Sequence, residues 1–165
     1  MVVIEPITAT NAAAFRTVRL LALQDSPGAF SGTYARESVL SDAEWGQRIA
    51  NWNGDRGIGY LAKQNGAWCG IAGALLDAHD ASTAQLLSMW VASNHRRSGV
   101  GNELVDAIAA WARSRAARTL RLMVTSHNPE AIDFYTRIGF TMTGRTGPYP
   151  NDPAVFEYEM AKRFE

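Results

Sequence analysis

Gln64-Asn65-Gly66 sits between two apolar runs, Gly59 to Lys63 and Ala67 to Asp77. Asn-Gly in that setting is the strongest short hairpin signal, because a tight two-residue turn needs positive φ at both central residues and these two accept it. A hairpin there commits the middle of the chain to an antiparallel pair. The residues that follow demand a different connection. Ala84 to Val91 reads as a strand, and Gly99 to Arg115 as a helix with Val100, Leu104, Ile108 and Trp111 on one side. Thr119 to Val124 is β-rich again. Strand, helix, strand is a crossover that sets strands parallel. A chain that contains both connections folds as a mixed sheet with helices on its faces.

The remaining elements are punctuated clearly. Val2 to Ile7 reads as a first strand, and Asn11 to Gln24 as a helix capped by Thr10 or Asn11, with Phe15, Val18 and Ala22 on one stripe. Asp25 to Leu40 is irregular and carries Pro27, Gly28 and Gly32. Ser41-Asp42-Ala43-Glu44 fits a capping box, and Trp45 and Ile49 then share a helix face. Asn128-Pro129 opens another helix, since Asn caps and Pro suits the first turn, and Gly139 closes it. Phe140 to Gly144 and Ala154 to Met160 read as final strands around the turn-rich Gly147 to Pro153.

Composition narrows the function. The 165 residues are 47% hydrophobic and 19% charged, enough for one core without metal or disulfide, so a single domain over 1–165 is expected. Sixteen Lys and Arg against sixteen Asp and Glu give zero formal charge, which argues against coating nucleic acid or an anionic membrane. The lone Cys69 excludes an intramolecular disulfide and a cysteine zinc cluster, and inside a strand run it reads as a packing thiol. His79 has no ligand-spaced partner and His95 reads as a loop residue, so no metal is expected. The apolar runs are too short for a bilayer, and the start has no basic leader, so a cytoplasmic location is expected.

The chemistry lies between Leu86 and Val105. A strand ends, a turn carries Arg96 and Arg97, and Gly99-Val100-Gly101 leads into an amphipathic helix. Such a junction suits an anion: the helix start offers unpaired N–H groups, and glycine lets a phosphate reach them. It is not the nucleotide P-loop, because no Gly-Lys-Ser/Thr follows. Nor is it the dinucleotide fingerprint, because Leu104 stands at the third glycine.

Arg96-Arg97-Ser98-Gly99-Val100-Gly101 resembles the Q/R-x-x-G-x-G/A motif of the GNAT superfamily of acyl-CoA-dependent N-acyltransferases. A second block, Val124 to Phe140, resembles that superfamily's closing motif, with its Asn128, Ala131, Phe134-Tyr135 and Gly139-Phe140. The likeness implies a twisted, mostly antiparallel mixed sheet of about six to seven strands flanked by about four helices. It also implies acetyl-CoA as co-substrate. Arg96, Arg97, Ser98, Gly99, Val100, Gly101 and Asn102 would wrap the pyrophosphate. Met89, Trp90 and Val91 would offer backbone to the pantetheine arm, and Asn128 would contact that arm while capping its helix. Tyr135 would point its hydroxyl at the sulfur.

The implied reaction is acetyl transfer to a primary amine by direct attack in a ternary complex, with a small molecule favoured over a peptide or protein acceptor. Tyr135 would protonate the leaving thiolate, and the N–H near Val91 would stabilise the oxyanion. Ser88 occupies the region where some family members place a glutamate; too weak a base itself, it would hold a water. Glu37, His127, Glu157 and Glu159 are the other candidate bases, each expected first as an ordinary surface charge. Phe30, Tyr34 and Tyr149 are assigned to the acceptor pocket. Two other classes stay open: a non-catalytic acyl-CoA-binding module, and a binder of some other phosphate ligand. Exposed strand edges leave a homodimer open.

Overall fold

Asn65 and Gly66 take φ of 52° and 80°, and the turn they make joins β2 (Gly57–Gln64) to β3 (Ala67–Leu76) in antiparallel register, Gln64 opposite Ala67. The computed structural model describes all 165 residues. Before the hairpin come β1 (Val2–Pro6), α1 (Ala12–Asp25), α2 (Tyr34–Glu37) and α3 (Asp42–Asn51). After it come β4 (Thr83–Val91), α4 (Val100–Ser114), β5 (Thr119–Thr125), α5 (Pro129–Arg137), β6 (Thr141–Pro148) and β7 (Phe156–Arg163).

The seven strands form one sheet in the order β1-β2-β3-β4-β5-β7-β6. Every neighbouring pair is antiparallel except β4 and β5, the two strands joined through α4. That parallel pair is short. It holds Thr83 to Gln85 against Thr119 to Arg121 and then ends, although both strands continue. The cause lies in β4. Its register against β3 slips by one, with Gly73 facing Leu87 but Ile71 facing Trp90, so Ser88 and Met89 together oppose Ala72. Ser88 adopts φ of 57°, a left-handed conformation a serine seldom takes. An extra residue bends and twists the strand that carries it. β4 therefore leaves β5 halfway along.

Each sheet face buries its own cluster. Leu104 and Ile108 of α4 pack on Leu120, Leu122, Phe140 and Met160. On the other face Phe15, Val18 and Leu23 of α1 and Trp45 of α3 cover Leu61, Ile71 and Trp90. Trp52 lies flat on that face because Gly59 and Gly73 leave it room; a Cβ at Gly59 would stand 2.0 Å from its ring.

Three details differ from the sequence reading. Asn11 stands at the N-cap position of α1 but makes no cap bond there: its side chain instead accepts from the Thr8 N–H at 2.8 Å, within a 3-10 turn capped by Thr8. There are five helices rather than about four, because Tyr34–Glu37 forms a short one inside the stretch expected to be irregular. Thr33 caps its start, accepting from the Arg36 N–H at 3.3 Å, and the tertiary bonds of Glu37 to Arg19 and Arg48, which no local pattern reveals, hold its end. β6 also runs on to Pro148, past the expected Gly144, because that glycine sits at φ of 90° within a register shift and lets pairing with β7 resume at Thr146.

Candidate active site

Where β4 and β5 part, a slot opens between them. Its cavity is about 70 Å³, and Ser88, Met89, Asn128, Tyr135 and Glu157 are among the residues lining it. Asn128 caps α5, accepting from the Ala131 N–H at 3.2 Å, so the motif that starts this helix also fixes one wall of the slot. Tyr135, about two turns on, is buried edge-on between Phe134 and Phe140, with ring centroids 5.3 and 5.5 Å away. Its hydroxyl bonds to no protein group. Burial pushes its pKa far above the ordinary phenol value, which keeps the proton on the oxygen.

At one end of the slot lies the turn from β4 into α4. Gly99 caps the helix at φ of 91°, and a Cβ added there would meet nothing within 4 Å. No protein acceptor takes the backbone N–H of Arg97, Ser98, Gly99, Val100, Gly101 or Asn102. These consecutive free donors, at the positive end of α4, form a cradle for an anion with several oxygens. The Arg97 guanidinium beside them is exposed and has no partner. Gly101 serves a second purpose: a Cβ there would come within 2.9 Å of the Phe134 ring, so glycine lets α5 lie against α4. Ser98 spends its hydroxyl on the loop itself, bonding to the His95 carbonyl and, at 3.3 Å, to Gln64, whose amide oxygen also meets His95 Nδ1 at 2.7 Å. The Asn65-Gly66 hairpin thus braces the cradle.

Arg96 points the other way. Its Nη2 donates to Asp25 at 2.8 Å and its Nε to the Val91 carbonyl at 2.9 Å, tying the end of α1 to the end of β4. Asp25 also accepts from the Trp90 indole at 2.9 Å. That bond foremost, with help from Ser26 and the Arg96 charge, holds its carboxyl below the usual range. The Arg96 charge is therefore partly neutralised, and Arg97 is the free cation of the loop.

The opposite end is built from side chains. Arg19 of α1 grips Glu37 of α2 through two bonds, at 2.9 and 3.0 Å, and donates a third to Ser88 Oγ at 3.0 Å. Arg48 adds a bond to Glu37 at 2.7 Å. Burial pushes the Glu37 carboxyl up, but the two guanidinium groups win and hold it below its usual range. It is a paired structural anion. Phe30 is buried beneath the Arg19 guanidinium at 4.9 Å. Tyr149 is also buried, and its hydroxyl donates to the Phe30 carbonyl at 2.7 Å, with the Pro27 carbonyl at 3.1 Å; Asn151 donates to Phe30 as well. Tyr34, at the start of α2, is exposed and does not line the slot. Arg19 and Asn151 were missed in the sequence, since their partners lie far away along the chain.

The other acids and bases separate clearly. Glu159 meets Arg121 at 3.8 Å and Thr143 at 3.0 Å. His127 is exposed. Glu157 lines the slot half-buried, has no hydrogen-bond or ion-pair partner, and has its pKa pushed up by burial. Cys69 is fully buried in β3, where burial pushes its thiol up, as a packing residue should be. No group of three or more His, Cys, Asp or Glu stands close enough to hold a metal ion, and no helix is long and apolar enough to cross a membrane.

A mixed sheet split between two parallel strands, with an anion cradle at the split, defines an acetyltransferase class. The Acetyltransferase (GNAT) family matches residues 21–140, and the chain belongs to that family. Streptothricin acetyltransferase of Escherichia coli is 30% identical over 103 residues, covering 52% of this chain and 59% of that one. Streptothricin acetyltransferase of Streptomyces lavendulae is 44% identical over 54 residues, 33% of this chain and 29% of its own. The chain thus spans less than two thirds of these relatives. Among solved structures, an acetyltransferase of the GNAT family from Streptococcus pneumoniae superimposes over 100% of both chains, with a TM-score of 0.79 and 22% identity. Nourseothricin acetyltransferase aligns over 67% of this chain and 66% of its own, with a TM-score of 0.62 and 26% identity. The fold class expected from the sequence motifs is the fold found.

Proposed function

We propose that this protein transfers the acetyl group of acetyl-CoA to a primary amine on a small molecule, by direct attack in a ternary complex. The observation that carries this reading is the slot between β4 and β5, with a main-chain anion cradle at one end and a neutral phenol inside. Arg97 to Asn102 would hold the pyrophosphate through backbone N–H groups, with the Arg97 side chain adding charge. Met89, Trp90 and Val91 would present the half of β4 that β5 leaves unpaired, and Asn128 the slot's other wall. Acetyl-CoA supplies an activated thioester. The Val91 N–H would polarise its carbonyl, and Tyr135 would protonate the departing sulfur. The Ser88 oxygen is engaged by Arg19, which leaves its own hydrogen to orient a water or the acceptor. Phe30 and Tyr149 would shape the acceptor end from behind and Tyr34 would meet the acceptor outside the slot. The streptothricin acetyltransferases among its relatives favour a small-molecule amine.

Thermal-shift titrations with acetyl-CoA, CoA, ATP and NAD test the cradle. A ligand at a hundred times its Kd stabilises a folded protein by about 2.7 kcal/mol. A shift with both CoA species and neither control is expected, and absence of any shift at millimolar acetyl-CoA would sink the reading. Thiol release with an amine panel that includes streptothricin tests the transfer. Tyr135→Phe should keep the CoA shift and lose about a hundredfold in kcat when chemistry limits turnover. Full kcat in that variant removes Tyr135 as the acid.

A further inference from the structure

An amine that attacks a thioester must first lose a proton, since a primary ammonium has a pKa of about 10.4. The acids near the slot are few and most are spent. Asp25 serves Trp90 and Arg96, Glu37 serves Arg19 and Arg48, and Glu159 serves Arg121 and Thr143. Glu157 alone lines the slot without a partner. Its backbone is fixed, in ladder register with Thr125 of β5 on one side and Gly147 of β6 on the other. Gly147 offers no side chain that would bond to it. The other titratable residue lining the slot is Tyr135, which stays protonated; Arg19, bonded to Ser88 of the lining, is held by Glu37, and on Glu157's own sheet face Glu159 is paired with Arg121.

From this arrangement we infer that Glu157 is the group that receives the acceptor's ammonium and takes its proton. This rests on the acetyl-transfer reading above. The proton balance closes. Glu157 accepts one proton from R–NH3+, and the freed lone pair forms the C–N bond. The C–S bond breaks as Tyr135 protonates the sulfur. The second surplus proton on nitrogen returns to Tyr135, and the one held by Glu157 leaves to solvent. A carboxylate lifted by desolvation suits the task, because its basicity moves towards that of the amine.

Two readouts test it. The first needs no turnover: carbon-13 NMR of the glutamate carboxyls, with Glu157 identified by its absence in Glu157→Gln. In the protein bound to CoA, the Glu157 signal should titrate above the usual value of about 4.3 and move on adding n-butylamine. A signal indifferent to the amine overturns the inference whatever the activity. The second is kinetic, with the best amine of the panel. Glu157→Gln should keep the CoA thermal shift and lose about a hundredfold in kcat/KM at neutral pH. The loss should shrink as pH rises towards the amine's own pKa, where free amine is abundant. A deficit constant with pH, or no deficit, overturns the role. A signal that responds to amine in a protein that acetylates none of the panel would instead break the transfer reading and leave Glu157 as an ammonium site.

Discussion

The two ends of the slot are made from different material. The cradle end is main chain: consecutive N–H groups from Arg97 to Asn102, set by one turn and one left-handed glycine. The end we propose for the acceptor is side chain, gathered across great distances in sequence. Arg19 reaches Ser88 over 69 residues, and Tyr149 reaches Phe30 over 119. The first kind of site recognises what all its ligands share, here an anion. The second is adjusted one side chain at a time. A protein built this way can change the side chains of one end while leaving the main chain of the other untouched, the two being joined through β4 and the Asp25 bonds to Trp90 and Arg96.

Substitutions at the two ends should therefore fail in different ways. The largest effect is expected for Gly99→Asp. It forces a side chain into a positive-φ position and sets a carboxylate over the cradle, so the acetyl-CoA thermal shift should vanish while secondary structure by circular dichroism is unchanged. A retained shift would mean the anion binds elsewhere. Next is Glu37→Gln, which leaves the buried Arg19 with no counter-charge. Loss of one partner from such a pair costs about 3–5 kcal/mol, to be read by denaturant unfolding. The variant should still gain stability from CoA, since the cradle is intact.

The same residue makes a pH prediction. The Glu37 carboxyl is held below its usual range, so its stabilisation is complete above about pH 4.3, the unfolded value, and is lost as pH falls through the lower folded value. Glu37→Gln should flatten that limb of the acid-unfolding curve. The smallest effect is expected for Tyr149→Phe. Removing the hydroxyl unties two loops at a cost of about 1 kcal/mol, and should raise KM for the amine more than KM for acetyl-CoA. Equal changes in both would show that the two ends are coupled more tightly than their construction suggests.

The same contrast decides what could be read from the chain. The Asn65-Gly66 turn, the Ser41–Glu44 capping box and the Asn128-Pro129 helix start all lie where local residues place them, because each is settled within four positions, the first by backbone that accepts positive φ and the other two by a side chain that bonds to nearby N–H groups. The cradle was legible for the same reason. The engagement of the Arg96 guanidinium could not be read, since nothing near it in sequence announces Asp25, 71 residues away. The α2 helix escaped notice because four residues carry no periodicity; a buried ion pair holds them. Glu37 and Glu157 looked alike as isolated letters. Their difference is the presence of two guanidinium groups around one and none around the other.

The single extra residue at Ser88 has a consequence for solubility as well as for chemistry. A strand with bare amide groups is an adhesive surface, and proteins usually hide it at considerable trouble. Here the bare stretch of β4 lies in the middle of the sheet, recessed between α5 and the loops that Tyr149 holds together. Its other side is still paired with β3, so the unpaired groups face an interior gap of about 70 Å³ and not the open flank of the sheet. A strand from another molecule would have to pair inside that gap, which sets this bare stretch apart from the outer edges at β1 and β6.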